Sequence, residues 1–78
     1  MNSLTKLIEF LARLETAKLH YELGHFRDSI AVLVAAPGAR WEVEFFEDGH
    51  VEVEVFRSNG VEADADGAVE RLFDEQAN

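Results

Sequence analysis

Along the first part of the chain, Leu4, Leu7, Ile8, Leu11 and Leu14 recur at helical spacing and form one apolar stripe. The spacing predicts an amphipathic helix opening at Asn2 or Ser3, whose side chains can accept from the unpaired first N–H groups. Glu9 and Arg13 form an i,i+4 pair in the favourable order. The period then changes to two: Leu19, Tyr21 and Leu23 alternate with His20 and Glu22. The helix is therefore expected to end near Ala17. The alternative, a helix through Leu23, carries Leu19 and Leu23 off the stripe and leaves three strands instead of four.

A loop over residues 24–29, with Gly24 and Asp28 as turn formers, leads to the β-branched run "IAVLVAA", which Pro37-Gly38 interrupts. Next come "RWEVEFFEDGHVEVEVF" and then "RSNG", where the strand pattern stops. "VEADAD" is acidic and irregular, and Asp64 or Asp66 can cap a short last helix carrying Val69, Leu72 and Phe73.

Register decides which way the side chains of these strands point. A two-residue Asp48-Gly49 turn would set Phe45 opposite Glu52, and a one-residue slip sends every side chain to the wrong face. A three-residue loop, Glu47-Asp48-Gly49, instead pairs Phe46 with His50, Phe45 with Val51, Val43 with Val53 and Trp41 with Val55. Gly49 then occupies the position where such loops take a left-handed residue. Upstream, a two- or four-residue connection at Pro37-Gly38 aligns Val34 with Trp41 and Val32 with Val43. The 24–29 loop aligns Leu23 with Ile30 and Tyr21 with Val32. One face then holds Leu19, Tyr21, Leu23, Ile30, Val32, Val34, Trp41, Val43, Phe45, Val51, Val53 and Val55 with no polar intruder. The predicted fold is α+β: a single domain over residues 1–78, a two-layer sandwich of helix, four-stranded antiparallel meander and helix.

The opposite face carries His20, Glu22, Ala31, Leu33, Ala35, Arg40, Glu42, Glu44, Phe46, His50, Glu52, Glu54 and Phe56. Glu44 lies opposite Glu52, and Glu42 opposite Glu54. Like charges so placed destabilise a sheet by about 0.2–1 kcal/mol per pair, much of it screened at an exposed site.

Charge is divided unevenly along the chain. The net charge is −9, with +1 on residues 1–40 and −10 on residues 41–78. An acidic half repels nucleic acid and anionic membranes and attracts basic partners, although solubility alone is a sufficient reason for it. With 78 residues and no cysteine, the chain is one small domain without disulfides or thiolate metal sites. Lys6, Glu9 and Arg13 interrupt any signal-peptide core, and no apolar run approaches the roughly 20 residues of a membrane helix. A cytoplasmic location is the expectation.

Catalytic signals are weak. Ser3, Ser29 and Ser58 fall at a cap and in loops, with no nucleophile elbow and no glycine-rich phosphate loop. His20, His25 and His50 are scattered, and His20 and His50 fall on edge strands of the meander. "DADG" at Asp64 to Gly67 glances at a calcium loop, but the sixth position is Val69, not glycine. Nothing walls in the four glutamates to split their acidities. No catalytic residue, metal ligand or cofactor is therefore expected. The glutamates are a solvated face first and a docking surface second. Phe46, Phe56 and Leu33 beside them suit a protein interface, with apolar anchors inside a charged rim, and Ala31 and Ala35 leave flat ground.

The core "RWEVEFF-DG-VEVEVF-S-G", within residues 19–61, resembles a group of small acidic bacterial proteins classed as conserved hypotheticals. The resemblance implies an α/β sandwich with an antiparallel sheet and brings no activity or site residues. Size, acidity and layout are more loosely similar to acidic secretion chaperones and to immunity or antitoxin proteins, which bind a protein partner. The expected function is a non-enzymatic binding module that meets a basic protein through Glu42, Glu44, Glu52, Glu54, Phe46, Phe56 and Leu33. A small metal- or ligand-binding protein or enzyme subunit is one rival, and a homodimer without another partner is a second.

Overall fold

In the computed structural model, which describes residues 2–57, 60–63 and 70–73, Asn2 caps the first helix, α1 (Ser3–Thr16). Its side chain accepts from the Thr5 N–H at 2.8 Å. The helix closes where the period of the sequence changes. Lys18 takes a left-handed φ of 59°, Lys18 N donates to Glu15 O, and Leu19 N donates to Leu14 O. Those two bonds satisfy carbonyls that would otherwise be orphaned, and the chain leaves the helix as a strand.

Five strands follow: β1 (His20–Phe26), β2 (Ser29–Ala36), β3 (Ala39–Phe46), β4 (Val51–Arg57) and β5 (Gly60–Ala63). They form one antiparallel sheet in sequence order. The chain is thus a two-layer α+β fold built on a meander, and α1 stops well short of Leu23. β5 corrects the expectation of an irregular "VEADAD". β5 pairs with β4, Arg57 standing opposite Gly60, so β4 is not an edge strand.

The predicted register holds from β2 to β4: Val34 faces Trp41, Val32 faces Val43, Phe45 faces Val51 and Trp41 faces Val55. Phe46 N donates to His50 O and Gly49 N donates to Phe46 O, both at 3.0 Å. With Gly49 at φ +97°, this is the three-residue bulged loop. The β1–β2 register differs from expectation. Leu23 faces Val32 and Tyr21 faces Val34, a slip of two residues. The connection is only Arg27-Asp28, so Gly24, expected as a turn former, joins β1 with His25 and Phe26, and Ser29 joins β2. A two-residue slip keeps every side chain on its face, which is why the apolar pattern does not detect it.

The core lies between the sheet and the helices. Leu14, Val32, Val34, Trp41, Val43, Val55 and Leu72 are wholly buried, each such side chain stabilising by roughly 1.5–3 kcal/mol over an exposed one. Phe10 packs on Phe45 at 5.5 Å and on Phe73 at 5.9 Å between ring centroids. This corrects the predicted stripe. The helix turns Leu7, Phe10 and Leu14 to the sheet and leaves Leu4 and Ile8 exposed, because an aromatic ring buries more area than the side chains it displaces. Residues 70–73 are helical. Leu72 and Phe73 place them on the core face, not over Leu33. The capping aspartates and Val69 lie outside the described residues.

The start of α1 is tied to the β3–β4 loop. The Ser3 hydroxyl donates to Phe46 O, and Lys6 Nζ donates to Gly49 O at 2.5 Å. Glu47 N donates to Asp28 O at 3.0 Å, joining that loop to the β1–β2 turn. No helix among the described residues is long and apolar enough to cross a membrane.

Candidate functional site on the outer sheet face

All seven residues singled out in the sequence share the sheet face away from α1, and the register arranges them in rows. Glu22, Leu33, Glu42 and Glu54 form one row, and Gly24, Ala31, Glu44 and Glu52 the next. Glu42 and Glu44 are half-buried, while Glu52 and Glu54 are exposed. Glu22 is a fifth carboxylate of this field. Period-two spacing puts it on the face, but only the β1–β2 register sets it in line with Glu42 and Glu54.

Aromatic rows border the carboxylates. At one end Phe26, Ser29 and Phe46 lie side by side. At the other, Arg40 faces Phe56 and holds its guanidinium carbon 4.9 Å from the ring centroid. Phe46 and Phe56 are both half-buried and stand at opposite ends, so they flank the acidic field instead of clustering. Leu33 is half-buried within it.

Ala31 is wholly buried, which corrects the picture of flat accessible ground there. The Phe26 ring leans back across its neighbour Gly24, where an added Cβ would lie 3.5 Å from the ring.

Two polar contacts were missed in the sequence. Ser29, expected in a loop, opens β2 and is 5% exposed. Its hydroxyl donates to Glu44 Oε2 at 2.6 Å. The shorter β1–β2 turn places it there, and no local signal announces that turn.

The second is a histidine held by two acids. His50 Nδ1 lies 2.5 Å from Asp48 Oδ1, and Nε2 lies 3.1 Å from Glu52 Oε2. Its ring stacks on Phe46 at 4.1 Å, tilted by only 10°. Both nitrogens meet acceptors, so the doubly protonated ring fits best. The Asp48 bond, followed by the Glu52 bond, raises the His50 pKa above its usual 6.5. In return, the backbone and then the ring of His50 hold Asp48 below its usual 3.8. The i,i+2 spacing of Asp48, His50 and Glu52 was the available signal.

This arrangement offers oxygen acceptors on a broad exposed face. The four lattice glutamates stand on this face and not in the hollow lined by Leu4, Leu7, Ile30 and Phe45. Among the described residues no group of three or more metal-ligating side chains converges. No family model matches the chain, and no curated protein or solved structure matches it.

Proposed function

We propose that the chain is a non-catalytic binding module whose outer sheet face docks a basic segment of another protein, in the manner of an immunity protein, antitoxin or chaperone. The observation that carries this reading is the cross-strand stacking of like charges, Glu44 on Glu52 and Glu42 on Glu54, in line with Glu22. The free sheet bears that repulsion. A lysine or arginine inserted between opposed carboxylates relieves it, so the pairs favour the bound state more than the free one.

The acidic field steers a basic partner toward the face, and Phe46, Phe56 and Leu33 supply the contact from which water is expelled. The cations already present favour an external partner. Arg40 lies over Phe56 at the border, and His50 is held by Asp48 and Glu52.

The test is affinity capture from lysate with the wild-type chain and with the double variant Glu42→Lys plus Glu54→Lys, circular dichroism showing that the variant is folded. The captured protein is expected to be basic and to be lost by the variant, and its binding to weaken steeply with salt. Undiminished affinity of the folded double variant for that protein would remove this face as the site.

A further inference from the structure

We propose that β1 is a dimerisation edge, pairing antiparallel with β1 of a second copy about a two-fold axis through Leu23. This edge adjoins the acidic face through Glu22 and Phe26 but contains none of the four lattice glutamates, and it rests on other observations.

The first is where exposed apolar area is found. Leu4, Ile8, Leu23 and Phe26 are the large apolar side chains most exposed among the described residues, at 53–64%. All four lie on the β1 side of the fold. Leu23 and Phe26 belong to β1 itself. Leu4 and Ile8 share a flank of α1 with Glu15, and Glu15 accepts from the Tyr21 hydroxyl of β1 at 2.8 Å. Leu4 also lines an open hollow of about 280 Å³ with Leu7, His25, Ile30 and Phe45. The opposite flank of α1 is covered. There Arg13 pairs with Glu70 at 2.9 Å and lies 4.0 Å over the Phe73 ring.

The second observation is the backbone of the edge. Among the described residues β1 ends the sheet. Phe46 N donates toward β4, and hydrogen bonding alternates along each antiparallel strand. Carried through the registers, the alternation spends His20, Glu22, Gly24 and Phe26 on β2. It leaves the N–H and C=O groups of Tyr21, Leu23 and His25 pointing out of the sheet. A row of this kind, left unpaired by the strands among the described residues, is a template for another strand.

The third observation is self-complementarity. β1 spans seven residues, and centring on Leu23 is the register in which every one of them pairs with a residue of the other copy. Leu23 meets Leu23 of the second copy, Tyr21 meets His25 and His20 meets Phe26, with the outward groups of both strands facing each other. Glu22 falls opposite Gly24, whereas centring on Glu22 sets two carboxylates face to face. Lys18, just before the strand, comes to the end where Asp28 of the second copy lies. Both α1 helices then sit on one face of a continuous sheet. Their Leu4 and Ile8 flanks are turned toward each other over the paired leucines, so the core layer runs across the join. For a chain of 78 residues, whose small core leaves little margin, this association stabilises the fold.

Sedimentation over a concentration series, combined with cysteine trapping, tests the proposal. Wild-type protein is expected at twice the 8.8 kDa chain mass, and Leu23→Lys at the single-chain mass with an unchanged far-UV spectrum. The chain has no cysteine of its own. Paired Leu23 positions would stand about 5.5 Å apart between Cα atoms, within disulfide reach. Leu23→Cys is therefore expected to cross-link under mild oxidation, and Phe26→Cys, whose copies stand far apart in this register, is not. A wild-type chain that stays monomeric, a dimer that survives Leu23→Lys, or equal cross-linking at both positions overturns the proposal. None of the three substitutions touches a lattice glutamate, so failure here leaves the docking reading to its own test.

Discussion

Glu44 and Glu52 stand directly across β3 and β4 from each other, and each has a bonded partner of its own. Ser29 donates to Glu44 at 2.6 Å from the β2 side, while the His50 ring reaches Glu52 at 3.1 Å along β4. Each of two like charges on neighbouring strands thus has a donor of its own, one a hydroxyl and the other an imidazole. The acidic face is an organised surface with its own internal contacts, and these make it testable.

The histidine contact fixes a pH dependence. His50 has a raised pKa in the folded chain. Its contribution is therefore complete below the unfolded value of 6.5 and is lost as pH rises through the folded value. Asp48 has a lowered pKa, so its contribution is present above 3.8 and is lost as pH falls through the folded value. Denaturation of His50→Gln beside wild type should show a stability deficit below pH 6.5 that shrinks as pH rises through the raised His50 pKa. An NMR titration of the His50 ring should give a midpoint above 6.5. A deficit that is flat with pH would show that the ring acts by stacking on Phe46 alone.

Removing the serine hydroxyl tests the other half of the arrangement. Ser29→Ala deletes a buried donor to a charged acceptor, and a loss of about 1–2 kcal/mol is expected. In a domain of this size each kcal/mol moves Tm by roughly 4–8 °C. A Tm within about 1 °C of wild type would mean that water replaces the hydroxyl at Glu44 without loss.

The end of α1 offers a gain in stability. Lys18 is held at φ 59°, a region that glycine enters without strain and a lysine does not. Lys18→Gly is expected to stabilise by about 0.5–1 kcal/mol in thermal or chemical unfolding. Lys18→Ala loses the same charge but keeps a Cβ, so it should bring no gain. Equal effects of the two substitutions would place the cause in the charge and not in the backbone.

What was legible in the sequence was parity. Alternation is a property of each strand by itself, so Trp41, Val43 and Phe45 declare their face without reference to anything distant, and Glu42 and Glu44 take the other. Short loops carry that local information into register. The need to match Phe45 with Val51 selects the bulged loop at Gly49, and the structure has it. The end of α1 was legible for the same reason, because the period changes at Leu19.

Other features needed the folded chain. The two-residue slip between β1 and β2 preserves every face, so only the turn at Arg27-Asp28 selects it, and with it come the position of Ser29 and the row joining Glu22 to Glu42. The rotation of α1 depends on how much area Phe10 buries against Phe45 and Phe73, side chains that arrive from elsewhere in the chain. Leu4, Ile8 and Leu23 carry core-like spacing yet remain exposed, because the helix lies where its other flank meets residues 70–73 and, among the described residues, β1 ends the sheet. The sequence by itself determined which side chains share a face, since periodicity is local. The tertiary structure decided which of those faces are covered, since coverage depends on the placement of partners far along the chain.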